Sequence, residues 1–182
     1  MTLSSAVLYI FSGLPGSGKS NLAGLLAQHI QAAYLRIDTI EQALRDICSI
    51  KVEGEGYRLA YRLGADILAT GVSVVADSCN PIELTREEWQ DVALANDAGF
   101  THIEVICSDP LEHRRRVETR TASIPGLRLP TWQEVQKRPY DPWTRERIML
   151  DTANKNEQEC LLELLSHLGR RIDPQTGSPR SA

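Results

Sequence analysis

"FSGLPGSGKSNLA" (residues 11–23) decides how the rest of the chain is read. Three glycines, a lysine and a serine stand between an apolar run and a segment of helical periodicity. The spacing Gly13-x-x-x-x-Gly18-Lys19-Ser20 after a strand and before a helix is that of a loop that cradles phosphates. Glycines let backbone N–H groups converge on anionic oxygens, and the helix N-terminus adds unsatisfied donors and the positive end of its dipole. Gly13, Leu14, Pro15, Gly16, Ser17, Gly18, Lys19 and Ser20 are therefore the candidate nucleotide-binding residues. Lys19 reaches the β- and γ-phosphates, and the Ser20 hydroxyl is a candidate ligand for Mg²⁺.

Working outward, "AVLYIF" (6–11) is a short apolar run, as expected of a strand buried on both faces. A helix over 19–31 carries Leu22, Leu25, Leu26 and Ile30 on one stripe. "AAYLRI" (32–37) reads as a second strand, ending at Asp38 and a helix in which Asp38 and Glu41 suit N-cap and N3. A helix over about 56–70 precedes the β-branched strand "VSVVAD" (72–77), which ends in Asp77. Thr85 and Glu88 suggest a capping box, "THIEVICS" (101–108) a fourth strand, and Asp109-Pro110 the start of a helix. Thr131-x-x-Glu134 repeats the capping box, "RIMLDT" (147–152) is a fifth strand, and a final helix holds Leu161, Leu164, Leu165 and Leu168. Strands alternating with helices predict an α/β fold with a mostly parallel sheet. The irregular stretch 121–146, rich in proline and arginine, breaks the rhythm and reads as a functional loop or lid. The tail over 171–182 is polar and is expected to be disordered, leaving one domain over 1–170.

The 182 residues are 42% hydrophobic, enough for a real core, and carry a net charge of −4 with a pI near 5.6. That balance gives no broad electrostatic footprint for nucleic acid or an anionic membrane, and no apolar run is long enough to cross a bilayer. The apolar N-terminal run has no basic segment before it and leads into the glycine loop, so it reads as a strand and not a signal peptide. Four widely spaced cysteines show no zinc-ligand pattern and suit reduced thiols in a cytoplasmic protein. His29, His102, His113 and His167 show no ligand spacing either.

A phosphate loop does not name a reaction. The DxxG element of GTPases is absent, and "NKNE" (154–157) departs from NKxD at Glu157. The chain is also short for a motor ATPase, which leaves a compact phosphotransferase. The segments "GLPGSGKS" (13–20), "LRIDTIEQALR" (35–45), "VVADSCNP" (74–81), "CSDPLEHRRRVETR" (107–120), "LPTWQEVQKRPYDPW" (129–143) and "IMLDTA" (148–153), in this order, resemble P-loop kinases of the AAA_33 type. These belong to the nucleoside-monophosphate-kinase-like group, with relatives among chloramphenicol phosphotransferases, zeta toxins and polynucleotide 5′-kinases.

The resemblance implies a three-layer P-loop fold, a five-stranded parallel sheet of order 2-3-1-4-5, and a helical lid over about 110–146. It implies ATP and Mg²⁺ as cofactors and a hydroxyl acceptor. In such kinases an aspartate at the place of Asp38 contacts the acceptor and takes its proton, and lid arginines close over the phosphates. Arg116 and Arg120 are the first candidates for that role, with Arg114 and Arg115 behind them; Glu112 and Arg116 could equally form an ion pair. Asp77 matches the acidic residue that holds Mg²⁺ through water, or could itself orient the acceptor or act as the base. Asn80 and Cys79 are weaker candidates for acceptor contacts. Asp151, Thr152 and Ala153 lie where such kinases touch adenine. Family members commonly carry arginine three residues after the aspartate; Glu41 stands there in this chain and argues against an acceptor held by such an arginine. Trp132, Tyr140, Trp143 and Arg138 read either as an acceptor pocket or as the small core of the lid. The expected activity is a small-molecule kinase. The alternatives are a polynucleotide 5′-hydroxyl kinase, recognisable by a basic strip, and a nucleotide-binding regulatory ATPase. The oligomeric state is left open.

Overall fold

The computed structural model describes residues 6–169. The predicted disordered tail lies outside the described residues. Five parallel strands form one sheet in the order β2-β3-β1-β4-β5, as the resemblance implied. They are β1 (Val7–Ser12), β2 (Ala33–Arg36), β3 (Val74–Asp77), β4 (Gly99–Ile106) and β5 (Ile148–Asp151). The helices are α1 (Lys19–Ile30), α2 (Ile37–Cys48), α3 (Glu55–Ala69), α4 (Glu83–Leu94), α5 (Pro110–Thr119), α6 (Trp132–Lys137) and α7 (Glu157–His167).

β1 explains the three layers. Its side chains alternate between the sheet faces, so Tyr9 and Phe11 enter one core while Leu8 and Ile10 enter the other. On the first face Leu22 and Leu26 of α1 meet Leu161, Leu164 and Leu165 of α7. On the second, Ala60 and Leu68 of α3 meet Trp89 and Ala93 of α4. A strand covered on both sides must be apolar throughout, which is why residues 6–11 read as an unbroken run.

Three differences from the predicted boundaries change which residues cap or end an element. β2 stops at Arg36 and Asp38 lies in the first turn of α2, so it does not end the strand and does not cap the helix; the N-cap position is Arg36. Asp38 nevertheless stays at the carboxyl edge of the sheet, because α2 starts there. α4 begins at Glu83, ahead of the predicted Thr85 cap; the Glu83 amide donates to the Asp141 carboxylate at 2.9 Å, while Thr85 donates its hydroxyl to the Ile82 carbonyl. β4 covers 99–106 and not 101–108; Ser108 leaves the ladder and its amide donates to the Asp151 carboxylate. The Asp109 cap and the Thr131–Glu134 box form as the sequence suggests. α7 adds a capping box between Asn156 and Glu159, and its Asn156 belongs to the segment that mimicked a guanine-specificity motif.

Candidate active site

The phosphate loop runs from the end of β1 into α1, at the carboxyl edge of the sheet where open α/β folds bind ligands. Two glycines show why the spacing is demanded. Gly18 has φ +90° and is the N-cap of α1, a left-handed conformation that lets the chain enter the helix with its amides turned to the cleft. Gly16 has φ +86°, and a Cβ there would come 2.5 Å from Val117 of α5. The loop is held from several sides: the Gly13 amide donates to the Cys79 carbonyl at 3.1 Å, a ring nitrogen of His113 pairs with the Pro15 carbonyl at 2.9 Å, and the Thr152 hydroxyl donates to the Ser17 carbonyl at 2.8 Å.

A cleft of about 1120 Å³ opens in front of the loop. Leu14, Pro15, Gly16, Gly18, Lys19 and Ser20 line it, facing Asp38, Arg116, Arg120 and Thr152. Sequence positions from four separate segments are thus brought to one space. Gly13 and Ser17 sit behind the lining, and Ser17 is buried with its hydroxyl lacking a hydrogen-bond partner among the described residues. Asp151 lies outside the cleft; its carboxylate accepts from the Ser108 and Ala153 amides, both at 3.0 Å.

Asp77 is buried at the end of β3, directly beneath the loop. It pairs with Lys19, accepts from the Tyr34 hydroxyl at 2.7 Å, and lies 3.6 Å from Arg36. Burial alone would push the Lys19 ammonium down, but attraction to Asp77 more than offsets it and holds its pKa above the ordinary value. Burial would likewise raise the Asp77 carboxyl; Lys19 and the hydroxyl donors outweigh it and hold the carboxyl below its usual range. Both groups therefore remain charged at neutral pH. Tyr34 is a member of this arrangement that sequence reading passed over, since a tyrosine in a short strand carries no pattern of its own.

Arg116 is fixed from both sides. It donates to Glu112 at 2.7 Å, to the Thr152 hydroxyl at 2.7 Å and to the Thr152 carbonyl at 2.9 Å. The helical ion pair and the position against the loop thus coexist. Arg120 is the C-cap of α5 and faces the cleft beyond it. Arg114 pairs with Glu118, and Arg115 is largely exposed. Asp38 is about half-exposed, with 47% of its side chain accessible, and lies 4.0 Å from Arg36. Cys79 also lines the cleft, whereas Asn80 is buried and donates to the Phe11 carbonyl.

The aromatic-basic group divides. Trp143 and Tyr140 stack on the buried Arg86 guanidinium, at 4.1 and 4.9 Å from the ring centroids, on the α4 side of the sheet. Trp132 packs edge-on to His113 behind the loop at 5.1 Å. Only Arg138 of the four lines the cleft.

The loop suits a nucleoside triphosphate, because its glycines leave no Cβ in the cradle and Lys19 keeps its charge. For Mg²⁺ the donor set is one hydroxyl, Ser20, beside one carboxylate, Asp77, in contact with each other's surroundings through Lys19. Among the described residues no group of three His, Cys, Asp or Glu side chains could hold a metal alone. A cation held mainly by phosphate oxygens and water, as Mg²⁺ usually is, fits that sparse set.

The AAA_33 family model, described as an AAA domain, matches residues 8–139, and the chain belongs to that family. Solved structures of the same fold are P-loop kinases and relatives. The APS kinase CysC of Mycobacterium tuberculosis, in complex with AMPPNP and APS, superposes with a TM-score of 0.63 at 18% identity, over 91% of this chain and 98% of that one. A gluconokinase of Sinorhizobium meliloti gives 0.63 at 18% identity, over 93% and 94%. Kti12 of Chaetomium thermophilum in complex with ADP-AlF3 gives 0.64 at 18% identity, over 87% and 97%. No curated protein matches the sequence. Among the described residues no helix is long and apolar enough to cross a membrane.

Proposed function

We propose that this protein is a cytoplasmic ATP- and Mg²⁺-dependent kinase that transfers the γ-phosphoryl group to a hydroxyl of a small molecule. The observation that carries the reading is the single cleft in which Lys19 and Ser20 of the loop face Asp38, Arg116 and Arg120. Ser20 and Asp77 would hold Mg²⁺, which supplies charge neutralisation on the phosphate oxygens. Lys19 leaves Asp77 for the β- and γ-phosphates. Asp38 orients the acceptor hydroxyl and accepts its proton as the new O–P bond forms and the bond to the bridging oxygen breaks, with ADP taking that electron pair. Arg116 places positive charge where charge develops, with Arg120 farther along the cleft toward the acceptor, and phosphoryl transfer depends mainly on such positioning. The segment over about 110–146 acts as the lid, excluding water that would compete as acceptor.

A transfer assay with [γ-³²P]ATP, Mg²⁺ and separate pools of polar hydroxyl metabolites and 5′-hydroxyl oligonucleotides tests the reading. Label in the metabolite pool is expected. Asp38→Asn is expected to lower transfer by about 100-fold or more with ATP affinity within about twofold of wild type. Transfer at the wild-type rate in this variant would remove Asp38 as the base. The second reading, a nucleotide-binding regulatory protein, draws on the loose hold on Asp38, and ATP binding without transfer to either pool would favour it.

A further inference from the structure

The chain carries a net charge of −4, yet the cleft is lined by eight basic and three acidic residues. Removing the basic residues already matched by carboxylates locates the excess. Lys19 is held by Asp77, Arg116 by Glu112, Arg128 by Glu134, and Lys155 by Glu163. Arg45 takes Glu41 at 3.0 Å, so the acidic residue that replaces the family's arginine is neutralised within α2. Arg36 is divided between Asp77 and Asp38 at 3.6 and 4.0 Å. What remains is Arg120 and Arg138, whose guanidinium groups have neither an ion pair nor a hydrogen bond among the described residues, and the Arg120 Nε is buried without a partner. Both line the same cleft as Asp38, Glu41, Cys79 and Arg36, which puts them at the acceptor end.

Arg120 is half-buried with its Nε unpartnered beside two like charges, and Arg138 is exposed and unpaired; an anion would relieve the repulsion between the cations and use the idle donors. Resting on the kinase reading, we infer that Arg120 and Arg138, with Arg36, form an anion subsite beside Asp38, so the acceptor is a small hydroxyl compound that also bears a phosphate, sulfate or carboxylate group. Arginine forks suit all three oxyanions, which share planar or tetrahedral pairs of acceptor oxygens. Arg36 is steadied for this by its bond to the Ser123 hydroxyl at 2.9 Å, which also draws the segment after α5 over α2. The anion binds away from the phosphate loop and fixes which hydroxyl of the acceptor meets Asp38.

The probe is inorganic sulfate, titrated calorimetrically into protein saturated with AMPPNP and Mg²⁺, so that the donor site is filled. Wild type is expected to bind sulfate, and Arg138→Gln to bind it about tenfold or more weakly, with AMPPNP affinity and melting temperature unchanged. A transfer panel pairing each neutral polyol with its phosphorylated or carboxylated counterpart then distinguishes the oxyanions, and transfer is expected only to the charged members. No sulfate binding by wild type with AMPPNP bound, or equal binding by Arg138→Gln, overturns the subsite while leaving the kinase standing. Transfer to a neutral polyol at equal efficiency does the same. Displacement of sulfate by a 5′-hydroxyl oligonucleotide, followed by its labelling, overturns the small-molecule class. Failure to bind AMPPNP at all would instead sink the kinase reading on which the subsite rests.

Discussion

Lys19 and Asp77 show how one residue can be held ready by another. Each is buried, and the partner offsets the burial that would disfavour its charge. Tyr34 and Ser20 add hydrogen bonds to the carboxylate, so the lysine stays charged at a place where a triphosphate would otherwise have to bring its own counter-charge. His102 is the opposite case. It is buried in β4 with both ring nitrogens lacking a hydrogen-bond partner among the described residues, and burial, reinforced by Arg145 and Arg86, pushes its pKa down to about 4. The unfolded chain therefore binds a proton that the folded protein rejects between about pH 6.5 and 4. Stability is present above that window and is lost as pH falls through it, by up to ~1.4 kcal/mol per pH unit from this group. Urea midpoints measured from pH 7 to 4 are expected to fall less steeply in His102→Phe than in wild type. Parallel profiles would show that the imidazole does not titrate in this window.

Elements carry the next level of control, and α7 is the clearest. Its leucine face completes the core against α1, and its start is set by the Asn156–Glu159 box, with Asn156 accepting from the Glu159 amide at 3.0 Å. Asn156→Ala removes that acceptor and is expected to destabilise the protein by about 1 kcal/mol in denaturant unfolding, with little change in nucleotide binding. A change below about 0.3 kcal/mol would mean that core packing alone sets the helix start. α5 works differently. Asp109 caps its N-terminus through local spacing, while His113 pairs with the phosphate loop and Arg116, in the last turn, with Thr152, which supports that loop. The same helix is thus placed by its own sequence and makes its contribution to the site through side chains that reach another segment.

The whole molecule is tied across its far side by Arg86. This buried cation has no carboxylate partner among the described residues; its nitrogens donate to the Asn80, Asp141, Pro81 and Pro142 carbonyls at 2.9 to 3.4 Å, under the rings of Trp143 and Tyr140. It joins the residues after β3 to the segment around Asp141 and Pro142 that follows α6. Arg86→Met keeps the length of the side chain and removes the donors, and is expected to cost about 3 kcal/mol by leaving several buried carbonyls unpaired. A loss under about 1 kcal/mol would show that water replaces the guanidinium.

Much of this architecture was legible in one dimension because its causes are local or periodic. The Gly13–Ser20 spacing, the two-sided apolar strands, the leucine stripes of α1 and α7, and the Asp109 and Thr131 caps all depend on residues within one or two turns of each other. The family likeness extended that reading to the strand order and to the candidate site residues. What lay beyond reach depends on distant partners. Asp141 sets where α4 begins from 58 residues away, and Thr152 supports the phosphate loop across 135. The aromatic cluster looked single in sequence and was divided when Arg86 drew two of its rings to the other side of the sheet. The charge of the cleft is likewise invisible in an acidic composition, because it depends on which arginines find carboxylates once the chain has folded. Period and spacing are properties of a neighbourhood along the chain, whereas pairing, burial and charge balance are properties of a neighbourhood in space.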